Sequence, residues 1–449
     1  MLRRQEGTQI TEGVIWKQLL LFFFPILMGS FFQQMYNTVD TIIVGRAIGT
    51  EALAAVGSSA SLINLLNGFF IGLSSGATVV LSQYYGAADR DGVSRSLHTG
   101  ILLSLILGIT ALLVGVLLGP AVMRLIRTPE NCLKDASTYV QIYFSGAVFS
   151  MVYNMGTGIL RAMGDSRRPM IFLMIACIVN ILMDILWVMV LKMGVAGAAV
   201  ATVISQGISA ILVVFTLCRL QNEPLQWKNL RPDFTILRRI LLIGLPAGLQ
   251  FITFDLSNIL TQSTVNTFGS NTVAAFTAYC KSDAIIWMVC GAFGVAITTF
   301  VGQNFGAGKI DRIHRSIWVC LGMSTAVIGS LSVLEIFFRE WILGIYTTDT
   351  EVIRLGTYMM LCTVPFCILF LPVEIFAGAM RGAGYSLVPT VITCFCVCLF
   401  RILWIFTAVV RWHTLGTLLM CYPLSWFLCA AVFFIVYRRG TWLGKDKFR

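Results

Sequence analysis

The chain has 449 residues, of which 57% are hydrophobic and 12% charged, against about 25% charged in an ordinary soluble domain. With a mean hydropathy of +0.84, that composition excludes a soluble enzyme, a disordered chain and a coiled coil, and leaves an integral membrane protein. The net charge of +11 would suggest nucleic acid in a soluble protein; here it reads as membrane orientation.

A helix needs about 20 apolar residues to cross the hydrocarbon core, and the chain offers twelve such runs. They are continuously apolar, which excludes the alternating pattern of a membrane β-barrel. The first six are predicted at 15–42, 52–76, 97–119, 136–159, 170–191 and 195–217. The polar stretch 219–237 follows as a linker. The remaining six are 238–264, 272–299, 315–338, 355–379, 389–410 and 415–437. The expected organisation is an amino-terminal lobe over 1–218, a cytoplasmic linker over 219–237 and a carboxy-terminal lobe over 238–449. The first run, with Pro25 inside it, is full length and has no small-residue cleavage pattern, so it is a span and not a signal peptide.

With the N-terminus in the cytoplasm, 22 of the 32 Lys and Arg residues fall in cytoplasmic segments and 8 in outer ones, while Lys281 and Arg401 lie inside spans. The positive-inside bias then places both termini in the cytoplasm. The thirteen cysteines lie mostly within apolar runs and lack metal-ligand spacing with His, so they read as small core residues.

An internal repeat sets the architecture. Thr78, Gln83, Gly86, Ala87, Asp91, Arg95 and Ser96 recur at one constant offset as Thr298, Gln303, Gly306, Ala307, Asp311, Arg315 and Ser316, seven identities in nineteen positions. Gly158, Arg161, Gly164, Ser166 and Pro169 recur at the same offset as Gly378, Arg381, Gly384, Ser386 and Pro389, five in twelve. Chance would give roughly one in fifteen. Six spans separate equivalent positions, so both copies enter the membrane from the same side as parallel repeats. Two such bundles with a cleft between them are a transporter architecture. The Gln-x-x-Gly-Ala turns at Gln83 and Gln303 read as structural, and Arg161 and Arg381 as residues that snorkel to the inner surface.

A charge at the bilayer centre costs roughly 2.5–3.5 kcal/mol on the insertion scale, so each one suggests a function. Asp40, Asp184, Asp255, Asp283, Glu374, Lys281 and Arg401 qualify; Glu335, near a span end, is expected to reach water. Gln33, Tyr36, Asn37 and Asp40 share one face of the first span. Asn180 and Asp184, one helical turn apart, share a face of the fifth, and the sixth offers Thr202 and Ser205. The positions equivalent to Asn180 and Asp184 in the second copy are Phe400 and Trp404, so this charge is not duplicated with the scaffold, as expected of a dedicated ion site. Gln250, Asp255, Asn258 and Gln262 cluster on the seventh span, and Lys281 is expected to pair with Asp255 or Glu374. Arg401 faces such a partner or water. Pro25 and Pro246 are expected to kink their spans.

A carboxyl in a poorly solvated pocket can bind a proton near neutral pH. Alternatively Asp40, Asn180, Asp184 and Thr202 supply oxygens for Na⁺. Either ion crossing 100 mV releases about 2.3 kcal/mol per charge. There is no GxxxxGK[ST] nucleotide-binding motif.

In order and in duplicate, these features resemble the multidrug and toxic compound extrusion (MATE) family: Pro25, Asp40 and Gly45; Gln83-x-x-Gly86-Ala87 with its copy; and Leu160-Arg161-Ala162-x-Gly164-Asp165 with Met380-Arg381-Gly382. The resemblance implies twelve transmembrane helices in two six-helix lobes arranged as a V around a central cleft, in the plasma membrane of a bacterium. It also implies export of drug-like, amphipathic, often cationic compounds in exchange for H⁺ or Na⁺, with no cofactor, no catalytic residue, no structural metal and no nucleic-acid partner, by a monomer in the lipid bilayer. Tyr36, Asp40, Asn180, Asp184 and Thr202 match the first-lobe cluster of the DinF-like branch, and Asn154 joins it. Asp255 matches the acidic position of the NorM-like branch, with Lys281, Asp283 and Glu374 as further second-lobe candidates. Gln33, Gln34, Asn37, Gln250 and Asn258 are candidates for the substrate cleft. The alternative function is a flippase for a lipid-linked oligosaccharide; it would require more cationic cleft residues than Lys281 and Arg401. A membrane-embedded enzyme would need a catalytic constellation that His98, His314 and His413 do not form.

Overall fold

A computed structural model describes residues 10–126, 128–221, 223–440 and 442. Six of the basic residues used in the orientation argument, Arg3, Arg4, Arg127, Lys445, Lys447 and Arg449, lie outside them. The described residues form α1 (Ile15–Ala47), α2 (Thr50–Gly86), α3 (Arg90–Leu125), α4 (Glu130–Ser145), α5 (Ala147–Ala162), α6 (Arg167–Val190) and α7 (Gly194–Cys218). After a connecting segment come α8 (Phe234–Asn266), α9 (Ser270–Gly306), α10 (Ile310–Phe337), the short α11 (Arg339–Gly344), α12 (Thr350–Gly382), α13 (Leu387–Val409) and α14 (Leu415–Arg439). Eleven of these are long and apolar enough to cross a membrane. The fourth expected span, 136–159, falls across α4 and α5, which are sixteen residues each and meet at Gly146. A Cβ on Gly146 would lie 2.8 Å from Val203, so the break coincides with a close approach to α7.

The duplication holds at the level of backbone geometry. α1 and α8 are both 33 residues long, and α2 and α9 both 37. Gly49 and Gly269 take φ of +121° and +98°, and Gly164 and Gly384 take +89° and +90°, conformations open to glycine at little cost. The interruption at Gly146 recurs as the 3₁₀ stretch Val364–Leu369 within α12. A π-helical stretch closes α6 at Ile185–Val190 and recurs at the equivalent place in α13, Ile405–Val409. Both α1 and α8 run without interruption through Pro25 and Pro246.

Mutual contact divides the chain into two units, and the division does not fall in the expected linker. The first comprises Phe24–Gly248 and the second Thr11–Phe23 with Leu249 onward. The stretch 219–233 packs into the first unit. Leu225 is buried, the Gln226 N–H donates to His98 Nε2 at 3.0 Å, the Asp233 N–H donates to Thr99 Oγ1 at 3.1 Å, and Arg95 pairs with Asp233 at 3.1 Å.

Within the first unit the opening turns of α8 meet α2 through two Gly-x-x-x-Gly pairs, Gly72/Gly76 and Gly244/Gly248. A Cβ on Gly72 would collide with the Gly248 backbone, and one on Gly244 would sit 2.8 Å from the Leu73 carbonyl. Backbones approach this closely only where side chains are missing, a common device where no hydrophobic effect drives helices together. Arg239 then donates to Gln83 Oε1 and Tyr84 Oη, both at 2.9 Å, which gives the first Gln-x-x-Gly-Ala turn its structural role. In the second unit, the start of α1 is held differently. Phe23 stacks on Phe293 at 4.0 Å, Lys309 Nζ donates to the Thr11 carbonyl at 2.9 Å, and Arg312 donates to the Gly13 and Glu12 carbonyls at 2.8 and 2.9 Å.

Replacing Gly72 or Gly244 with Leu forces the α2–α8 seam apart. Each is expected to remove about 1–3 kcal/mol or more and to appear as lost monodispersity in size-exclusion chromatography. Gly57→Ala and Gly322→Ala, where no atom lies within 4 Å of the added Cβ, should leave the profile unchanged.

Candidate cation-coupling site

In the first unit, three helices bring together polar side chains that are far apart in sequence. Tyr36 and Asp40 sit one turn apart on α1, Asn180 and Asp184 one turn apart on α6, and Thr202 on α7. Asp40 is 6% exposed, Thr202 1%, and Asn180 and Asp184 are fully buried. The carboxyls of Asp40 and Asp184 lie within electrostatic reach of each other, and Tyr36 lies within reach of both and against Thr202.

Among the described residues, no lysine, arginine or histidine forms an ion pair with either carboxyl. Asp40 Oδ1, both Asp184 oxygens and both amide atoms of Asn180 make no hydrogen bond within the protein. Buried polar atoms are nearly always satisfied, so a group of them around two like charges calls for a positive charge. A proton on one carboxyl supplies it. So does a small hard cation held by carboxylate, amide and hydroxyl oxygens.

Tyr139 and Tyr143 of α4 line the same region; Tyr139 feels Asp40, Asp184 and Tyr36 and stacks on Tyr143 at 6.5 Å. Asn67 of α2 donates to Tyr143 Oη at 2.9 Å, and Gln206 of α7 donates to it at 3.5 Å. Sequence reasoning missed these four. The signals available were two tyrosines one turn apart on a short polar helix and single amides in apolar runs. Asn154, expected in the cluster, donates its amide to the Ser150 carbonyl at 2.9 Å, one turn back on α5. Gln33, Gln34 and Asn37 are exposed on α1.

The second unit departs from expectation at several positions. Lys281 is exposed and pairs with neither Asp255 nor Glu374. Glu374 is instead paired with Arg381 at 3.3 Å, and its carboxylate occupies the space beside Gly294 that any Cβ would fill. Arg381 therefore neutralises a carboxylate within its own helix and does not merely snorkel. Arg161 likewise turns back onto Thr157, with bonds of 3.2 and 3.0 Å.

Arg401 is 1% exposed and has no carboxylate partner among the described residues. It lies over the rings of Tyr422 at 4.4 Å and Phe254 at 5.4 Å and donates to Asn258 Oδ1 and Ser425 Oγ, both at 3.4 Å, a cation held by aromatic faces. Asp255 is half-buried, as is Gln250, whose Oε1 makes no hydrogen bond. Asn258 is exposed. Asp283 is buried and accepts from Trp287 Nε1 and, at 3.4 Å, from the Tyr279 hydroxyl. Glu335, expected to reach water, is 7% exposed. It lies two residues from the end of α10 yet faces the interior, against Ser282 of α9.

The family model MatE matches the chain twice, at residues 25–186 and 246–407, which are the two structural repeats. A probable multidrug resistance protein YoeA of Bacillus subtilis is 31% identical over 85% of this chain and 84% of its own. A second from the same organism, the probable multidrug resistance protein YpnP, is 30% identical over 98% of both chains. The solved outward-facing structure of a multidrug resistance MATE family transporter of the MOP superfamily superposes with a TM-score of 0.91 at 22% identity, over 98% of this chain and 99% of that one.

Glu374→Gln leaves Arg381 without its counter-charge and should lower stability by about 1–3 kcal/mol in thermal unfolding of the purified protein. Lys281→Ala, which removes no ion pair, should change it by less than about 0.5 kcal/mol.

Proposed function

The chain belongs to the MatE family, a family of multi-pass membrane transporters rather than enzymes, and on that premise we propose that it is a secondary active exporter of amphipathic, often cationic organic compounds driven by exchange for H⁺ or Na⁺. The relatives carry multidrug resistance in their names, which supports drug-like compounds as the cargo class. The observation that carries the coupling reading is the buried Asp40–Asp184 pair with Asn180, five of whose polar atoms have no partner in the protein, beside Thr202.

The pair couples through the cost of desolvation. Two carboxylates within electrostatic reach of each other in a poorly hydrated unit repel, and neither has an ion-pair partner among the described residues; a bound cation relieves that penalty. Binding the ion draws α1 and α6 together across Thr202, and release lets water or a cationic cargo take its place. The π-helical stretch directly after Asp184 is a point where α6 can adjust without breaking, a feature often found near functional positions. The orientation that accompanies this reading has both termini in the cytoplasm of a bacterium, from the positive-inside bias, and the working unit is a monomer with a complete site in one unit. A lipid-linked oligosaccharide flippase has less support. Of its two candidate cations, Arg401 is enclosed by aromatic rings, which leaves Lys281.

Reconstituted in proteoliposomes with imposed H⁺ or Na⁺ gradients, the wild type should accumulate a fluorescent organic cation against its gradient. Asp40→Asn and Asp184→Asn should each bind that cation within about threefold of wild type and lose uphill transport. Full gradient-driven transport by both variants would refute the coupling role of the pair.

A further inference from the structure

The second unit holds its own pair of buried acids, made by residues that the repeat does not carry over. Asp283 on α9 is 3% exposed and Glu335 on α10 is 7% exposed, and the two carboxyls lie within electrostatic reach of each other. The equivalent positions in the first copy are Ile63 and Gly115, so the pair is not a relic of the first-unit site.

We propose that Asp283 and Glu335 form a second proton-binding site, with Asp283 the standing anion and Glu335 the group that takes up and releases the proton. The two carboxyls are furnished unequally. Asp283 accepts from Trp287 Nε1, from the Tyr279 hydroxyl at 3.4 Å and from the Cys367 thiol at 4.0 Å, and donors of that kind favour a charged carboxylate. Glu335 accepts from the Ser282 hydroxyl, which is shared with the Ala278 and Tyr279 carbonyls, and Glu335 Oε1 has no hydrogen bond.

Among the described residues, no basic group closes the charge balance. The titratable side chains facing the pair are Tyr279, Cys280 and Cys290 of α9, Cys367 of α12 and Tyr422 of α14. Arg339, one turn beyond Glu335, turns to the Ile336 carbonyl at 2.8 Å and to Glu340 at 3.9 Å. Two like charges buried together cannot both stay ionised without a counter-charge, and such pairs share one proton. The donor set favours a proton over Na⁺: the Trp287 N–H and the Cys367 S–H pointed at Asp283 hydrogen-bond an anion but offer no oxygen to a hard cation, which wants several.

The site is complete within the second unit, so it does not rest on coupling at Asp40 and Asp184. The test uses the full-length protein in lipid nanodiscs carrying Asp40→Asn and Asp184→Asn, so that the first pair is silent. Infrared difference spectra between acid and alkaline pH should retain a carbonyl band of a protonated carboxylic acid, shifted in D₂O. Glu335→Gln in that background should abolish the band. Glu335→Asp should keep it at a changed frequency, which covers the case in which the Gln variant does not fold. A band untouched by both substitutions overturns the proposal, as does one that Na⁺ removes at constant pH.

Discussion

The structure depends on the price of leaving a carboxylate in a poorly hydrated interior without a cation. Several other charged groups of the chain are spared that state. Glu374 is neutralised by Arg381, Asp233 by Arg95, and the buried Arg401 is wrapped in two rings, an amide and a hydroxyl. Asp40 with Asp184, and Asp283 with Glu335, are left without a basic partner among the described residues. Acids kept unpaired inside a chain that pairs others are the groups that a bound positive charge would stabilise most.

The surrounding scaffold makes the exception tolerable. In the first unit, α2 and the opening of α8 are joined by backbone contact at Gly72, Gly76, Gly244 and Gly248. Tyr139, Tyr143, Asn67 and Gln206 build a wall around the carboxyls through a short hydrogen-bonded network. The backbone contacts lie on α2 and α8, and the unsatisfied polar atoms on α1 and α6. The π-helical stretch after Asp184 recurs in α13 where no acid precedes it, so it belongs to the duplicated backbone, and the first copy has placed its carboxylate next to it.

The duplication separates what is inherited from what is specialised. Helix lengths, the interruption of the fourth span in each repeat and the positive-φ glycines recur. The charges do not. Spacing alone points to a dedicated acid pair in the first copy and discounts Glu335; with Glu335 buried, the second copy has an acid pair too, on α9 and α10 instead of the helices that carry the first.

The amino-acid sequence by itself determined the class, the positions of the spans other than the fourth, the repeat with its constant offset, and which first-unit acids lie inside spans, because apolar run length, charge scarcity and local spacing are properties of neighbouring residues. It identified Asp40 and Asp184 as costly and placed their helical partners, Tyr36 and Asn180, on the right faces. Tertiary structure alone decided which distant groups meet. It turned Lys281 outward, gave Glu374 to Arg381 and closed rings over Arg401. It buried Glu335 and split the chain at Gly248 within a helix, not in the polar stretch before it. Burial and charge pairing depend on which helix packs against which, and nothing in the spacing along one helix records the residues its neighbours present.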